Sequence, residues 1–210
     1  MAIPADITLK TLKGSWALDK SVADDADPIL KLQGVGWLMR KAIGAATLTL
    51  HFASSAEDST VRLEMRQTLT GGIPGATEER IMDWAERERS NHVYGHTLTR
   101  SQFINGVRGA DGDVQPDLNL QSKPPSAAIE AEIQRFLCGG IPQLNDALES
   151  EGYKGIYIHD FGRNEQAGWT AEQVWSLELI SSQAYLTRRV VVVKGGSYEM
   201  ARLVYKFTAL

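Results

Sequence analysis

Polar side chains interrupt otherwise apolar strand faces at several points in this chain, and these are the residues that could do chemistry. Val61–Leu69 alternates, so Val61, Leu63, Met65, Gln67 and Leu69 share one face. Glu78, Arg80, Met82 and Trp84 share a face in the next run, and His92 and Tyr94 follow in the one after. Phe103 joins them, Tyr157 and His159 fall with Phe161, and Trp175 leads Leu177 and Leu179. Together they outline a cavity lined by Trp, Tyr and Met with sparse hydrogen-bond donors, which suits a flat, oxygenated, largely apolar molecule. Each also has a purely structural alternative. Arg80 can bridge to Glu78, Gln67 can satisfy a core hydrogen bond, and aromatics commonly fill cores.

Other chemistries lack their residues. There is no Walker loop, dinucleotide glycine fingerprint, HExxH or Gly-x-Ser-x-Gly elbow. His92 and His96 lie on one face of a strand-like run, about 13–14 Å apart at the strand rise, too far for one metal. Cys138 sits beside a helical apolar stripe and reads as a buried thiol. As the only cysteine it allows neither an intrachain disulfide nor a multi-cysteine zinc site.

The elements that must position these residues are short strands. Period-2 runs are expected at Thr8–Leu18, Ala46–Ala53, Val61–Leu69, Thr77–Trp84, Asn91–Thr99, Thr99–Val107, Lys154–Phe161, Ala171–Leu179, Tyr185–Val193 and Tyr198–Phe207. Gly195-Gly196 joins the last two as a two-residue hairpin. A helix is expected over Asp27–Ile43, with Asp27 as N-cap and Pro28 in its first turn. A second is expected over Ser126–Leu137, capped by Ser126, with Ile129, Ile133, Phe136 and Leu137 on one stripe. A third short helix is expected after Pro142. The segment Gly109–Gly152 reads as an excursion from one domain spanning residues 1–210. About ten strands with tight turns and few helices predict an all-β fold. The expected architecture is a closed up-and-down antiparallel β-barrel of about 8–10 strands, with an N-terminal lid helix and a helical excursion near 126–150. Trp37 and Arg40 on the lid helix would then be gate residues.

The chain has 210 residues, 22 Lys+Arg against 26 Asp+Glu, and a formal charge of −4. Mild acidity argues against a broad nucleic-acid face. No apolar run approaches the roughly 18 residues of a membrane span, so membrane insertion is not expected. The N-terminal residues lack the pattern of a signal peptide. A reduced, cytoplasmic protein is expected, and the sequence is compatible with a homodimer.

Gly14-Ser15-Trp16 near the start and Arg202 near the end resemble the lipocalin and wider calycin pattern. There an arginine on the last strand lies over the first strand's indole and seals the barrel end. The segments LKGSWALDKS, DPILKLQGVGWLMRKAI, QTLTGGIPG, MDWAERE, GWTAEQVW and TRRVVVVKG, in that order, resemble a family of small fungal lipocalin-like proteins of natural-product pathways. Some members are hetero-Diels–Alderases that join a tropolone o-quinone methide to a humulene-type alkene. The resemblance implies a barrel with a ligand cavity and pericyclase activity without a cofactor. Under it, Gln67, Arg80, Tyr94 and His159 are the candidate catalytic donors to a tropolone carbonyl. Trp37, Met65, Trp84, His92, Phe103, Tyr157 and Trp175 are the candidate substrate contacts. Trp84 and Trp175 would stack on the ring, and His92 or His159 would handle protons in a preceding loss of water. Two further readings are a carrier of an apolar small molecule and a β-sandwich interaction protein without a cavity.

Overall fold

A computed structural model describes residues 2–57, 60–108, 114–139 and 156–209. β1 (Gly14–Leu18) leads into two short helices, α1 (Asp27–Leu32) and α2 (Trp37–Ala45). Next come β2 (Thr49–Glu57), β3 (Thr60–Leu69), β4 (Ile73–Ile81), β5 (Arg87–Asn91), β6 (Gly95–Arg108) and the short β7 (Val114–Pro116). Helix α3 (Ala127–Cys138) precedes β8 (Ile156–Asn164), β9 (Trp169–Ile180), β10 (Gln183–Lys194) and β11 (Ser197–Ala209).

The strands form one curled antiparallel sheet in the order β4-β3-β2-β1-β11-β10-β9-β8-β6-β5, with β7 on β6. The expected up-and-down barrel is therefore present, with first and last strands adjacent. Among the described residues no backbone ladder joins β4 to β5. That seam is crossed by Arg89, whose guanidinium donates to the Glu79 carbonyl. Period-2 alternation sends Leu50 and Phe52, Leu63 and Met65, and Leu203, Tyr205 and Phe207 inward, where all are buried. Burying each such side chain contributes about 1.5–3 kcal/mol. Ile7, Leu9 and Leu12, ahead of β1, join the same core.

Trp16 is fully buried and opposes Phe207 in register, their rings edge to face at 5.2 Å. The expected Arg202 seal is not formed. Phe207 and Tyr205 face inward, so Arg202, an odd number of residues away, faces outward. Its backbone N–H donates to Asp24 Oδ2 at 2.7 Å, while the Trp16 indole N–H donates to the Lys13 carbonyl at 3.0 Å.

The single helix expected at Asp27–Ile43 is two. Gly34, at φ +86°, ends α1 by letting Val35 N–H reach the Leu30 carbonyl and Gly34 N–H the Lys31 carbonyl. Val35 and Leu30 are both buried at that turn. Ala26, not Asp27, is the N-cap, and the Asp27 carboxylate instead receives Arg40 Nε at 3.1 Å. The strand expected at Asn91–Thr99 is broken by a turn. Asn91 Oδ1 accepts from Val93 N–H and Tyr94 N–H, and Gly95 takes φ +68°, which starts β6.

Outside the barrel wall lies a second layer. Ser126 Oγ accepts from Ile129 N–H and caps α3 as expected. Ile133, Leu137 and Cys138 of α3 pack against Tyr157, Val174, Val191 and Val193 on the outer faces of β8, β9 and β10. The helix expected after Pro142 lies outside the described residues. No helix among the described residues is long and apolar enough to cross a membrane.

Candidate functional site

The barrel interior carries a polar network built around Arg80. Its Nε donates to Asp160 Oδ2 at 2.8 Å, its Nη2 to Glu78 Oε2 at 2.9 Å, and its Nη1 reaches Met65 Sδ at 3.9 Å. Asp160 also accepts from Ser101 Oγ at 2.6 Å and from the Trp175 indole N–H at 2.9 Å. Burial pushes the Asp160 carboxyl up, but the Arg80 charge and these hydrogen bonds outweigh it and hold it below its ordinary value. Burial likewise opposes the Arg80 charge, and Asp160 and Glu78 together raise its pKa. Gln67 Nε2 donates to Glu78 Oε1 at 3.0 Å. The Glu78 side chain is 31% exposed, so this carboxylate keeps access to the interior space.

Trp175 is the hub of the aromatic part. The Arg188 guanidinium lies 5.0 Å and that of Arg80 5.5 Å from its ring centre. Tyr205 stacks with it at 6.3 Å and 19°, and Phe52 meets it edge-on at 6.0 Å. Arg188 Nε donates to Gln173 Oε1 at 2.7 Å. The buried Trp169 indole N–H has no hydrogen-bond partner among the described residues, and the buried Tyr205 hydroxyl, whose oxygen lies beside the Arg188 guanidinium, has no acceptor for its own O–H. Nearer the helices, the Tyr94 ring meets Trp169 edge-on at 6.1 Å, and Asn164 Nδ2 fixes its turn by donating to the Tyr94 carbonyl at 2.7 Å. Burial raises the pKa of both tyrosines, and the Arg188 charge opposes the rise in each. Gln67, Tyr94, Phe103, Gln173 and Arg188 are only half-buried although they point into the barrel, so the interior is not filled at their level. The arrangement can orient an oxygenated apolar molecule by hydrogen bonds along an aromatic wall.

The structure brings Met65, Gln67, Arg80, Tyr94, Phe103 and Trp175 to this interior. Five other expected site residues lie elsewhere. Tyr157 and His159 do share a face with Phe161, but it is the outer one. The Tyr157 hydroxyl donates to the Val114 carbonyl at 3.1 Å, and His159 Nε2 lies 2.8 Å from Glu172 Oε1. Strand β4 ends at Ile81, so Trp84 leaves the face of Arg80. At φ +60° it stacks outside the barrel on the His159 ring at 4.7 Å. His92 is exposed in the 92–94 turn, and Trp37 is 64% exposed on α2. The interior residues that the sequence reading missed are Asp160, Arg188 and Tyr205. The signal for Arg188 was a charged residue leading the apolar run Val190–Val193.

No family model matches the chain. It is 26% identical over 208 residues to the probable pericyclase scpY of Mollisia scopiformis, covering 98% of this chain and 94% of that protein. It is 22% identical over 209 residues to the pericyclase pydY of an Acremonium species, covering 99% and 97%. These are distant homologues. Among solved structures, Caenorhabditis elegans lipid binding protein 8 matches with a TM-score of 0.54 at 14% identity, covering 97% of this chain and all of that one. Echinococcus granulosus fatty-acid-binding protein 1 matches at 0.53 and 11%, covering 96% and 100%. The chain therefore shares the fatty-acid-binding, calycin-like barrel fold and is distantly homologous to fungal pericyclases.

Proposed function

We propose that this chain is a cofactor-independent pericyclase that binds an oxygenated, largely apolar molecule inside its barrel. The reaction we assign is an intermolecular hetero-Diels–Alder cycloaddition of a tropolone o-quinone methide with a humulene-type alkene. The observation that carries the reading is the near full-length homology to two pericyclases. The interior donors beside Trp175 support it.

A cycloaddition makes two σ bonds and loses no atoms, so the protein's work is to hold diene and dienophile in reacting pose. Arg188, Tyr205 and Tyr94 supply N–H and O–H groups that can bond the heterodiene oxygen and stabilise charge gathering there. Arg80 is spent on Asp160 and Glu78, which makes it a positioning residue. A preceding loss of water from a hydroxymethyl precursor needs one proton delivered to the departing hydroxyl and one removed from the ring hydroxyl. Glu78, the interior carboxylate with access, is suited to that transfer. We place the protein in the cytosol on its single cysteine.

The test incubates purified protein with the quinone-methide precursor and humulenol. A protein-dependent change in product ratio and stereochemistry is expected, and identity with the protein-free mixture sinks the enzyme reading. The half-buried interior also fits a carrier of an apolar molecule, which would bind the same compounds without altering the products.

A further inference from the structure

We infer that the barrel holds a second polar subsite, at Trp169, which takes a neutral oxygen that accepts a hydrogen bond. The inference deepens the proposed function and rests on reading the interior as the small-molecule site. Three of the five tryptophans, Trp16, Trp169 and Trp175, lie buried in the barrel, each at most 4% exposed. An indole N–H can only donate. That of Trp16 donates to the Lys13 carbonyl at 3.0 Å, and that of Trp175 to Asp160 Oδ2 at 2.9 Å. Trp169 Nε1 is just as buried and donates to nothing among the described residues. Buried donors in native proteins nearly always have acceptors, so this N–H is one acceptor short.

Asn164 fixes the surroundings of that donor. Its Oδ1 accepts from Ala167 N–H at 2.7 Å and its carbonyl from Gly168 N–H at 2.8 Å, with Gly168 at φ +72°, which sets the turn leading into Trp169. Its Nδ2 donates to the Tyr94 carbonyl at 2.7 Å, and the Tyr94 ring meets Trp169 edge-on at 6.1 Å. Tyr94 is only half-buried, so unfilled interior begins at that ring. Ala171 and Val192, the next inner-face pair on the β9–β10 ladder, are both buried. They give a lone water none of the further partners it needs. Lys194, opposite Trp169 in register, is half-exposed at the end of β10. The buried donor is therefore one neutral N–H among apolar side chains. It fits a neutral ketone, ether or ester oxygen, because a charged oxygen buried there would lose its solvation. Trp169 and Trp175 are six residues apart on the same face of β9, about 20 Å along the strand. The subsite is thus separate from the donors beside Trp175, and together they select for oxygen at both ends of what the barrel holds.

The experiment is displacement of the neutral dye Nile red from the full chain by 2-dodecanone and by 2,11-dodecanedione, which adds a second carbonyl at the far end. The dione should bind about 3- to 10-fold more tightly, the gain expected from one neutral hydrogen bond. In Trp169→Phe, which lacks the N–H, the two ketones should bind alike. An indole ¹⁵N–¹H spectrum gives a second readout. The dione should move the Trp169 N–H signal, the one missing from Trp169→Phe, downfield, as a newly made hydrogen bond does. If Trp169→Phe does not fold, that signal is assigned through its contact with the Tyr94 ring and the wild-type spectrum decides. A dione that binds no more tightly than the monoketone, a Trp169→Phe protein that keeps the whole gain, or a Trp169 signal unmoved by bound dione would overturn the inference and leave the interior reading intact. Failure of both ketones to displace the dye removes the interior reading and this inference with it. The full dione effect without new product in the cycloaddition assay removes the pericyclase reading alone.

Discussion

The wall formed by β8, β9 and β10 carries buried charge on both faces, and the two faces use it differently. On the outer face, Glu172 is 0% exposed and accepts from the backbone N–H groups of Gln121 and Ser122, with His159 Nε2 on its third side. Glu178 accepts from Ser176 Oγ, Thr187 Oγ1 and Arg189 Nη2, and Arg189 Nη1 also donates to the Phe136 carbonyl in α3. Both carboxylates are surrounded by donors, and each cluster ties the 114–139 layer to the barrel. On the inner face Asp160 is equally surrounded by donors, while the buried Tyr205 hydroxyl beside the Arg188 guanidinium has no acceptor for its own O–H. The outer face is not fully paired either, since Arg189 Nε is buried there without a partner among the described residues. The two faces differ in what their charges hold: the outer carboxylates fasten the second layer to the barrel, and the inner one orients Arg80 and Trp175.

The largest effect expected from breaking this contrast is at Asp160. Asp160→Ala leaves Arg80 buried beside Glu78 alone and frees the Trp175 indole N–H. It should cost about 3–5 kcal/mol in urea denaturation, as for other broken buried pairs. A loss below about 1 kcal/mol would mean that the inner network is not what holds Trp175 in place. The same residue predicts a pH dependence. Its folded carboxyl is held below the ordinary value of 3.8, so it contributes stability above that value and loses it as pH falls through the folded pKa. Wild-type stability should therefore decline in acid below about pH 4, the ordinary carboxylate range. Asp160→Asn should flatten that part of the profile, and a variant that loses stability in acid as steeply as wild type would place the acid-labile group elsewhere.

The next effect is on the outer face. Glu172→Gln keeps the shape but returns a weaker acceptor to two backbone donors, a cost of about 1–3 kcal/mol. The loosening should be local, with faster hydrogen exchange at Gln121 and Ser122. Cys138 is a reporter for the same event. Burial, and secondarily the Glu172 charge, push its thiol up to about 12. Maleimide should thus label the wild type very slowly at neutral pH and the variant faster. Unchanged exchange and unchanged labelling would show that the outer layer is held without Glu172.

The comparison also explains what the sequence made legible. The strands, the β10–β11 hairpin at Gly195-Gly196, the Ser126 cap and the adjacency of Trp16 to the last strand are local or topological, and alternation and turn chemistry specify them. The facing of β8 was not legible. Tyr157, His159 and Phe161 alternate with Ile158 and Asp160, but period 2 states only which residues share a face. The 114–139 layer buries the outer face as fully as the barrel buries the inner one, so hydrophobicity cannot tell them apart. Trp84 was misplaced because its strand ends three residues earlier. Arg188 and Tyr205 matter only in relation to each other and to their spent neighbours, a relation that exists in the folded register and in no local pattern.

The smallest effect concerns the two ends of the barrel. If Arg202 sealed the Trp16 indole, removing either would change the effect of removing the other by about 0.5–2 kcal/mol, in the range of cation–π contacts. The structure puts the two side chains on opposite faces of the β1–β11 ladder, with Trp16 held by Phe207 and Lys13 and Arg202 tied through its backbone to Asp24. Trp16→Phe should be costly, because it removes a fully buried indole. Arg202→Ala should cost about 0.5 kcal/mol or less, as surface substitutions do. The double variant should lose the sum of the two, within about 0.3–0.5 kcal/mol. A coupling of about 1 kcal/mol or more would restore the arginine seal and would require β11 to shift by one residue. That shift would turn Tyr205 out of the barrel and away from the Trp175 ring it stacks on.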